Sequence, residues 1–172
     1  MSWKTELKKV LVNAREAASH AGQGSPALKK KLLLNIASRI EQKSKWLLAE
    51  NRKDVVNAKA GGLSLAMIDR LTLNEKRIRA IAQGVRTVAR LKDPTGQVLA
   101  KWTRPNGLRL QKVTVPLGVI LMLYESRPNV TADAAALTLK SGNAVILRGG
   151  KEAFQSNAAI AAILREGAKQ SG

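Results

Sequence analysis

The chain has 172 residues, 45% hydrophobic and 24% charged, which suits an ordinary globular domain with a real core or part of a larger one. It has no cysteine and a single histidine, His20. That excludes disulfides, a thiol nucleophile and Cys-ligated metals, and no metal site is expected. Thirty Lys and Arg against twelve Asp and Glu give a net charge of +18, spread along the chain, which favours anionic partners. Aromatics at 3% argue against a base-stacking platform, so nucleic acid would be held only non-specifically, through charge. There is no signal-peptide pattern and no apolar run of roughly 18 residues, so no membrane partner and a cytoplasmic location are expected.

In chain order, residues 3–20 place Leu7, Val10, Leu11, Ala14, Ala17 and Ala18 on one helical stripe. Ser25-Pro26 reads as an N-cap followed by proline in the first turn. The helix after it points Leu28, Leu32, Leu33, Ile36, Ala37 and Ile40 inward, with Lys29, Lys30 and Lys31 on its wet face. Trp46 to Ala60 continues as helix to the stop Gly61-Gly62, and Leu63 to Leu71 is a short helical segment. Glu75 to Leu91 is again amphipathic, through Ile78, Ile81, Ala82, Val85, Val88 and Ala89. His20 reads as a surface or interhelix residue, and Trp46 and Trp102 as packing residues.

After the turn Asp93-Pro94-Thr95-Gly96 the pattern changes. Val98 to Trp102 and Leu108 to Val115 read as an antiparallel hairpin around Arg104-Pro105-Asn106-Gly107. Gly118 to Leu123 and Asn143 to Leu147 are continuous apolar runs, the mark of parallel strands covered on both faces. Val130 to Lys140 is the helix between them, and Glu152 to Ala168 closes the chain. The fold class is α/β: a helical N-terminal region, an antiparallel hairpin and a partial parallel sheet. So few strands, followed by a helix, read as part of a larger sheet.

Ligands of such sheets bind at the carboxyl ends of the strands, where two polar clusters fall. The second, Arg148-Gly149-Gly150, sets a fork-shaped donor beside two glycines, suited to a phosphate approached closely by backbone. The bland alternative is a solvated strand-end arginine. The usual G-x-G-x-x-G fingerprint is missing. The first cluster is Glu125, Ser126, Arg127, Pro128 and Asn129. Pro128 fixes the backbone ahead of Asn129, whose amide reads either as an N-cap or as a donor to a developing oxyanion.

Three strings carry a resemblance: Val115-Pro-Leu-Gly-Val-Ile, Tyr124-Glu-Ser-Arg-Pro-Asn-Val-Thr, and Leu139-Lys-Ser-Gly-Asn-Ala-Val-Ile-Leu-Arg-Gly-Gly-Lys-Glu-Ala with Ser156-Asn157. Gly62-Leu-Ser-Leu-Ala-Met-Ile-Asp-Arg-Leu and Leu91-Lys-Asp-Pro-Thr-Gly-Gln-Val fit the same pattern. Together they resemble the N-terminal portion of the γ-glutamyl phosphate reductases (glutamate-5-semialdehyde dehydrogenases), enzymes of proline biosynthesis in the aldehyde dehydrogenase superfamily. The resemblance implies an aldehyde dehydrogenase-like, Rossmann-like fold divided as 1–97 (helical part of the cofactor-binding domain), 98–114 (oligomerisation or bridging hairpin) and 115–172 (start of the NADP-binding sheet). It implies NADPH-dependent reduction of γ-glutamyl phosphate to glutamate 5-semialdehyde, and a homo-oligomer.

By the family's pattern Asn129 helps form the oxyanion hole. Arg148, with Gly149 and Gly150, lies near the adenosine ribose, an arginine there suiting NADP. Glu125 and Ser126 border the cofactor, and Arg127 meets the substrate's phosphate or carboxylate. The family's nucleophilic cysteine belongs to a C-terminal catalytic half that this sequence lacks, so the chain alone is expected to be inactive. The alternatives are a non-catalytic NADP-binding or regulatory module and, behind it, a basic nucleic-acid-binding protein.

Overall fold

A computed structural model describes residues 2–170. Helices α1 (Trp3–Gln23), α2 (Pro26–Gln42), α3 (Ser44–Ala60), α4 (Leu65–Leu71) and α5 (Glu75–Arg90) come first. Strands β1 (Val98–Thr103) and β2 (Arg109–Val113) form an antiparallel hairpin, with Trp102 opposite Leu110. Then β3 (Val119–Leu123), α6 (Pro128–Lys140) and β4 (Ala144–Arg148) make the expected crossover, parallel in register from Val119 opposite Ala144 to Leu123 opposite Arg148. A 3-10 turn at Lys151–Ala153 leads into α7 (Phe154–Lys169). Among the described residues no helix is long and apolar enough to cross a membrane.

Local signals set most of these boundaries. Ser25 caps α2 by accepting from the Leu28 N–H at 3.2 Å, with Pro26 as first residue, where its missing donor costs nothing. Asn74 caps α5 through the Arg77 N–H at 2.8 Å. Gly142 takes φ +72° in the turn before β4, and a Cβ there would lie 3.1 Å from the Pro116 ring and 3.4 Å from the Ala21 carbonyl. The end of α1 therefore sits directly against this turn.

One core draws on Leu33, Ile36 and Ile40 of α2, Leu47 of α3, Ile78, Ala82 and Val85 of α5, Ala132 and Ala136 of α6, and Ile160 and Ile163 of α7. It takes in helices from both sides of the hairpin. Several expected faces differ. Leu28 is exposed, and Lys29 is buried at 6% exposure because its ammonium lies 3.1 Å from the Asp93 carboxylate and 2.8 Å from the Thr95 hydroxyl. Burial pushes the Asp93 carboxyl up, but Thr95 and Lys29 outweigh it and hold it below the usual aspartate range. No α1 residue is buried, so the stripe of Leu7, Val10 and Leu11 stays open. Val119, Leu121 and Leu123 of β3 are exposed as well, since a two-stranded sheet leaves one face uncovered. Trp46 and Trp102 are exposed too, Trp46 under the Lys43 ammonium at 5.5 Å from the ring centre.

Three buried polar residues tie α3 to the rest. The Asn51 amide donates to the Leu71 carbonyl at 2.8 Å and the Ser156 hydroxyl at 2.9 Å, and its oxygen accepts from the Leu73 N–H at 2.7 Å. Asp54 accepts from the Ser156 N–H at 2.7 Å, the Ser156 hydroxyl at 2.6 Å and the Gln155 N–H at 3.1 Å. It thereby satisfies two otherwise partnerless donors at the start of α7. Asp54→Ala leaves those buried donors unpaired and is expected to cost about 2–4 kcal/mol in urea unfolding. A change within a few tenths of a kcal/mol would show that the network is not what holds α7.

Candidate functional site

The carboxyl ends of β3 and β4 open onto three adjoining clefts. The first, about 440 Å³, is lined by Asp69, Arg70, Arg77, Arg127, Asn129 and Asp133, among others. The second, about 360 Å³, is lined by Met67, Arg70, Glu125, Ser126, Arg127, Gly150 and Glu152. The third, about 490 Å³, runs past Tyr124, Arg148, Gly149, Gly150, Lys151, Phe154, Ala158, Ala161 and Arg165. Arg70 and Arg127 border the first two, and Gly150 the second and third. Every site residue expected from sequence therefore lies on one continuous path, with Asn129 near one end and Arg148 near the other.

Asn129 does not cap α6. The helix begins at Pro128, Arg127 occupies the cap position, and the Asn129 amide donates to Asp133 one turn on, at 3.0 Å. One N–H is spent there and the amide keeps a second. Burial holds the Asp133 carboxyl above the usual aspartate range, with the Asn129 hydrogen bond opposing it only in part. No cation lies within ion-pair distance of Asp133 among the described residues.

The arginines divide by what they already hold. Arg77 is engaged: it donates to the Asp69 and Thr72 carbonyls and, at 2.9 and 3.1 Å, to the Asp69 carboxylate. Among the described residues Arg70 meets only Glu125, at 3.9 Å between two exposed side chains, a contact of little energetic weight. The Arg127 guanidinium has no hydrogen-bond or ion-pair partner among the described residues. Sequence reasoning missed Arg70 and Asp133 as cleft residues.

At the other end, Arg148 donates to the neighbouring Gly149 carbonyl at 2.8 Å and makes no ion pair among the described residues. The two glycines serve packing. A Cβ on Gly149 would fall 2.2 Å from the Asn157 amide and 3.0 Å from the Tyr124 ring. One on Gly150 would fall 2.7 Å from the Glu152 carboxylate and 2.9 Å from the Ser126 hydroxyl. Both glycines also line clefts, Gly149 the third and Gly150 the second and third. Ser126 is buried and donates to Glu152 at 2.9 Å, joining the two strand-end turns. Glu152 is held below the usual glutamate range by its own backbone N–H first, then by Ser126, with Lys151 and Arg148 adding to it. Tyr124, Thr131 and Asn157 bond in sequence at 2.7 and 2.8 Å, fixing the third cleft's inner wall.

The third cleft is lined by the apolar Leu147, Phe154, Ala158 and Ala161 together with three cations, Arg148, Lys151 and Arg165. That donor set fits a flat aromatic group carrying phosphate, as a phosphorylated adenosine is. The two acids give a direct check on the site's electrostatics. A carbon-detected NMR titration is expected to place the Asp133 midpoint above, and the Glu152 midpoint below, those of exposed acids of the same type. Ordinary midpoints for both would refute the burial and bonding described.

No protein-family model matches the chain. A γ-glutamyl phosphate reductase of Carboxydothermus hydrogenoformans is 55% identical over 161 residues, 94% of this chain and 39% of that protein. The solved structure of the γ-glutamyl phosphate reductase of Thermotoga maritima superposes with a TM-score of 0.89 at 43% identity, covering 91% of this chain and 38% of that one. A salicylaldehyde dehydrogenase from Pseudomonas putida G7 shares the fold alone, with a TM-score of 0.73 at 22% identity over 95% of this chain and 31% of that one. The chain is thus similar along nearly its whole length to γ-glutamyl phosphate reductases, of whose own length it spans well under half, in the fold they share with aldehyde dehydrogenases.

Proposed function

We propose that this chain is the N-terminal, cofactor- and substrate-holding portion of an NADPH-dependent reductase that converts γ-glutamyl phosphate to glutamate 5-semialdehyde. The observation that carries the reading is the unbroken path of clefts from Asn129, through Arg127 and Gly150, to Arg148. NADPH, when bound, supplies the hydride. Arg148, Lys151 and Arg165 are the residues that would hold its phosphorylated adenosine, beside the apolar Leu147, Ala158 and Ala161 of the same cleft. Ser126 and Glu152 keep the connecting turn in place. Asn129 offers its second amide N–H to the oxygen that gains charge when the acyl group is attacked, as oxyanion-hole donors do. Asp133, accepting the other N–H, keeps the amide nitrogen turned toward the cleft.

The attack itself needs a thiolate, which a chain without cysteine does not have. A C-terminal catalytic half would supply it, and the open face of β3 at Val119, Leu121 and Leu123 is an apolar surface on which such a segment would pack. The exposed hairpin, with Val98, Leu99, Trp102, Leu108 and Val113, fits a contact to a second copy. A soluble phosphorylated substrate suits a cytoplasmic setting. A non-catalytic NADP-binding module is the second reading, favoured by the missing thiol; under it the chain binds NADPH and never contributes to turnover.

NADPH fluorescence titration of the purified chain tests the cofactor end. The chain is expected to prefer NADPH over NADH, and Arg148→Glu to remove that preference, a change of about tenfold or more for a lost phosphate contact. Equal affinity for the two dinucleotides before and after the substitution would sink the assignment.

A further inference from the structure

The hairpin of β1 and β2 stands apart from the rest of the molecule. Neither strand makes more than slight contact with any helix or with the parallel sheet, and none of its strand residues is buried. Its base is nevertheless fixed. The Thr114 hydroxyl donates to the Pro94 carbonyl at 2.6 Å, the Gln97 side-chain amide donates to the Asp93 carbonyl at 3.0 Å, and the Asp93 carboxylate is clamped by Lys29 at 3.1 Å. The charge of this arm has one sign. Residues 94–124 include no Asp or Glu, and their four cations, Lys101, Arg104, Arg109 and Lys112, all stand on the hairpin. None of the four makes a side-chain ion pair among the described residues, and Asp93, the nearest acid before them, is already neutralised. Their field is therefore uncompensated.

The strand register sorts the side chains. Lys101 pairs with Gln111 and Thr103 with Arg109, and alternation puts these four on one face. Ala100, Trp102, Leu110 and Lys112 take the other. The first face is thus made wholly of ammonium, hydroxyl, guanidinium and amide donors, the groups that serve phosphate oxygens and base edges of a duplex. The arm's one aromatic, Trp102, lies on the opposite face, so the donor face offers no platform for stacking unpaired bases. A two-stranded ribbon fits the major groove of B-form DNA, about 12 Å wide, whereas that of A-form RNA is too narrow for it. We infer that the hairpin is a DNA-binding arm, a basic ribbon that lays its donor face of Lys101, Thr103, Arg109 and Gln111 into the major groove of a duplex, with Arg104 and Lys112 on flanking phosphates. The inference goes beyond the reductase reading and needs neither its cofactor nor its substrate. The face of Trp102 and Leu110 stays available to a second copy.

Fluorescence anisotropy of a labelled DNA duplex with the purified chain, from about 50 to 200 mM salt, is the test. Affinity is expected to fall steeply, with a slope of log K against log salt of about −0.9 for each phosphate contacted. Replacing Lys101, Arg104, Arg109 and Lys112 together by Gln should flatten that slope by about 3 to 4. Replacing Lys8, Lys9, Lys30 and Lys31 by Gln removes the same charge from α1 and α2, and should leave the slope within about one unit. An RNA duplex should bind about tenfold or more weakly than DNA. If circular dichroism shows the fourfold hairpin variant unfolded, Arg109→Gln alone should still flatten the slope by about 1. The inference is overturned if the α1 and α2 variant flattens the slope as much as the hairpin variant, which assigns binding to net charge alone. It is overturned equally if the chain leaves duplex DNA unbound at about 50 mM salt, or if RNA binds as well as DNA. A hairpin variant that binds DNA unchanged but loses self-association in light scattering also overturns it, leaving these cations to a contact between copies.

Discussion

The site depends on a polar knot at its rear, where Asn51 and Asp54 of α3 meet Ser156 of α7, all three nearly free of solvent. Helix α7 starts soon after the turn that carries Arg148, Gly149 and Gly150, so whatever fixes its first residues fixes that end of the clefts. The same Asn51 side chain holds the carbonyl of Leu71 and the N–H of Leu73. Those two bonds position the connection between α4 and α5, and with it Arg70 and Arg77. One helix thus sets both walls. Burying these groups is tolerable only because each finds a partner, and removing any one strands the others.

Forward of the knot, the geometry is cemented by side chains that close small spaces. Ser126 and Glu152 lock one strand-end turn to the other, while the Tyr124–Thr131–Asn157 series lines the third cleft. At Gly149 and Gly150 protein atoms already occupy the place of a Cβ. These are packing constraints, and they leave Arg148 and Arg127 as open charged groups above a rigid base. Preorganised donors over a fixed frame are what discriminates a developing charge from a resting one.

Much of this was legible in the sequence, for identifiable reasons. The crossover from β3 through α6 to β4 follows from two apolar runs and an Ala-rich helix with clear stop signals. Ser25-Pro26 announces its cap, and the polar clusters after the strands mark where the clefts open. What stayed hidden depends on partners distant in the chain. Lys29 reads as solvated beside Lys30 and Lys31, yet Asp93, 64 residues on, draws it inward. Asp133 reads as one polar residue in an apolar helix, and only the fold sets it against Asn129 within a cleft that Arg70 also enters. The exposure of the α1 stripe and of β3 has the same origin: periodicity shows which face is apolar, but not whether anything covers it.

The central claim is that this chain holds substrate and cofactor for a reaction whose nucleophile it lacks. The most direct measurement mixes the purified chain with the cysteine-bearing remainder of a γ-glutamyl phosphate reductase and follows phosphate-dependent reduction of NADP by glutamate semialdehyde, the reaction in reverse. Neither part should turn over alone, the mixture should, and Asn129→Ala in the chain should slow the mixture about a hundredfold or more. Turnover by the chain alone, or a silent mixture of two folded parts, would contradict the account.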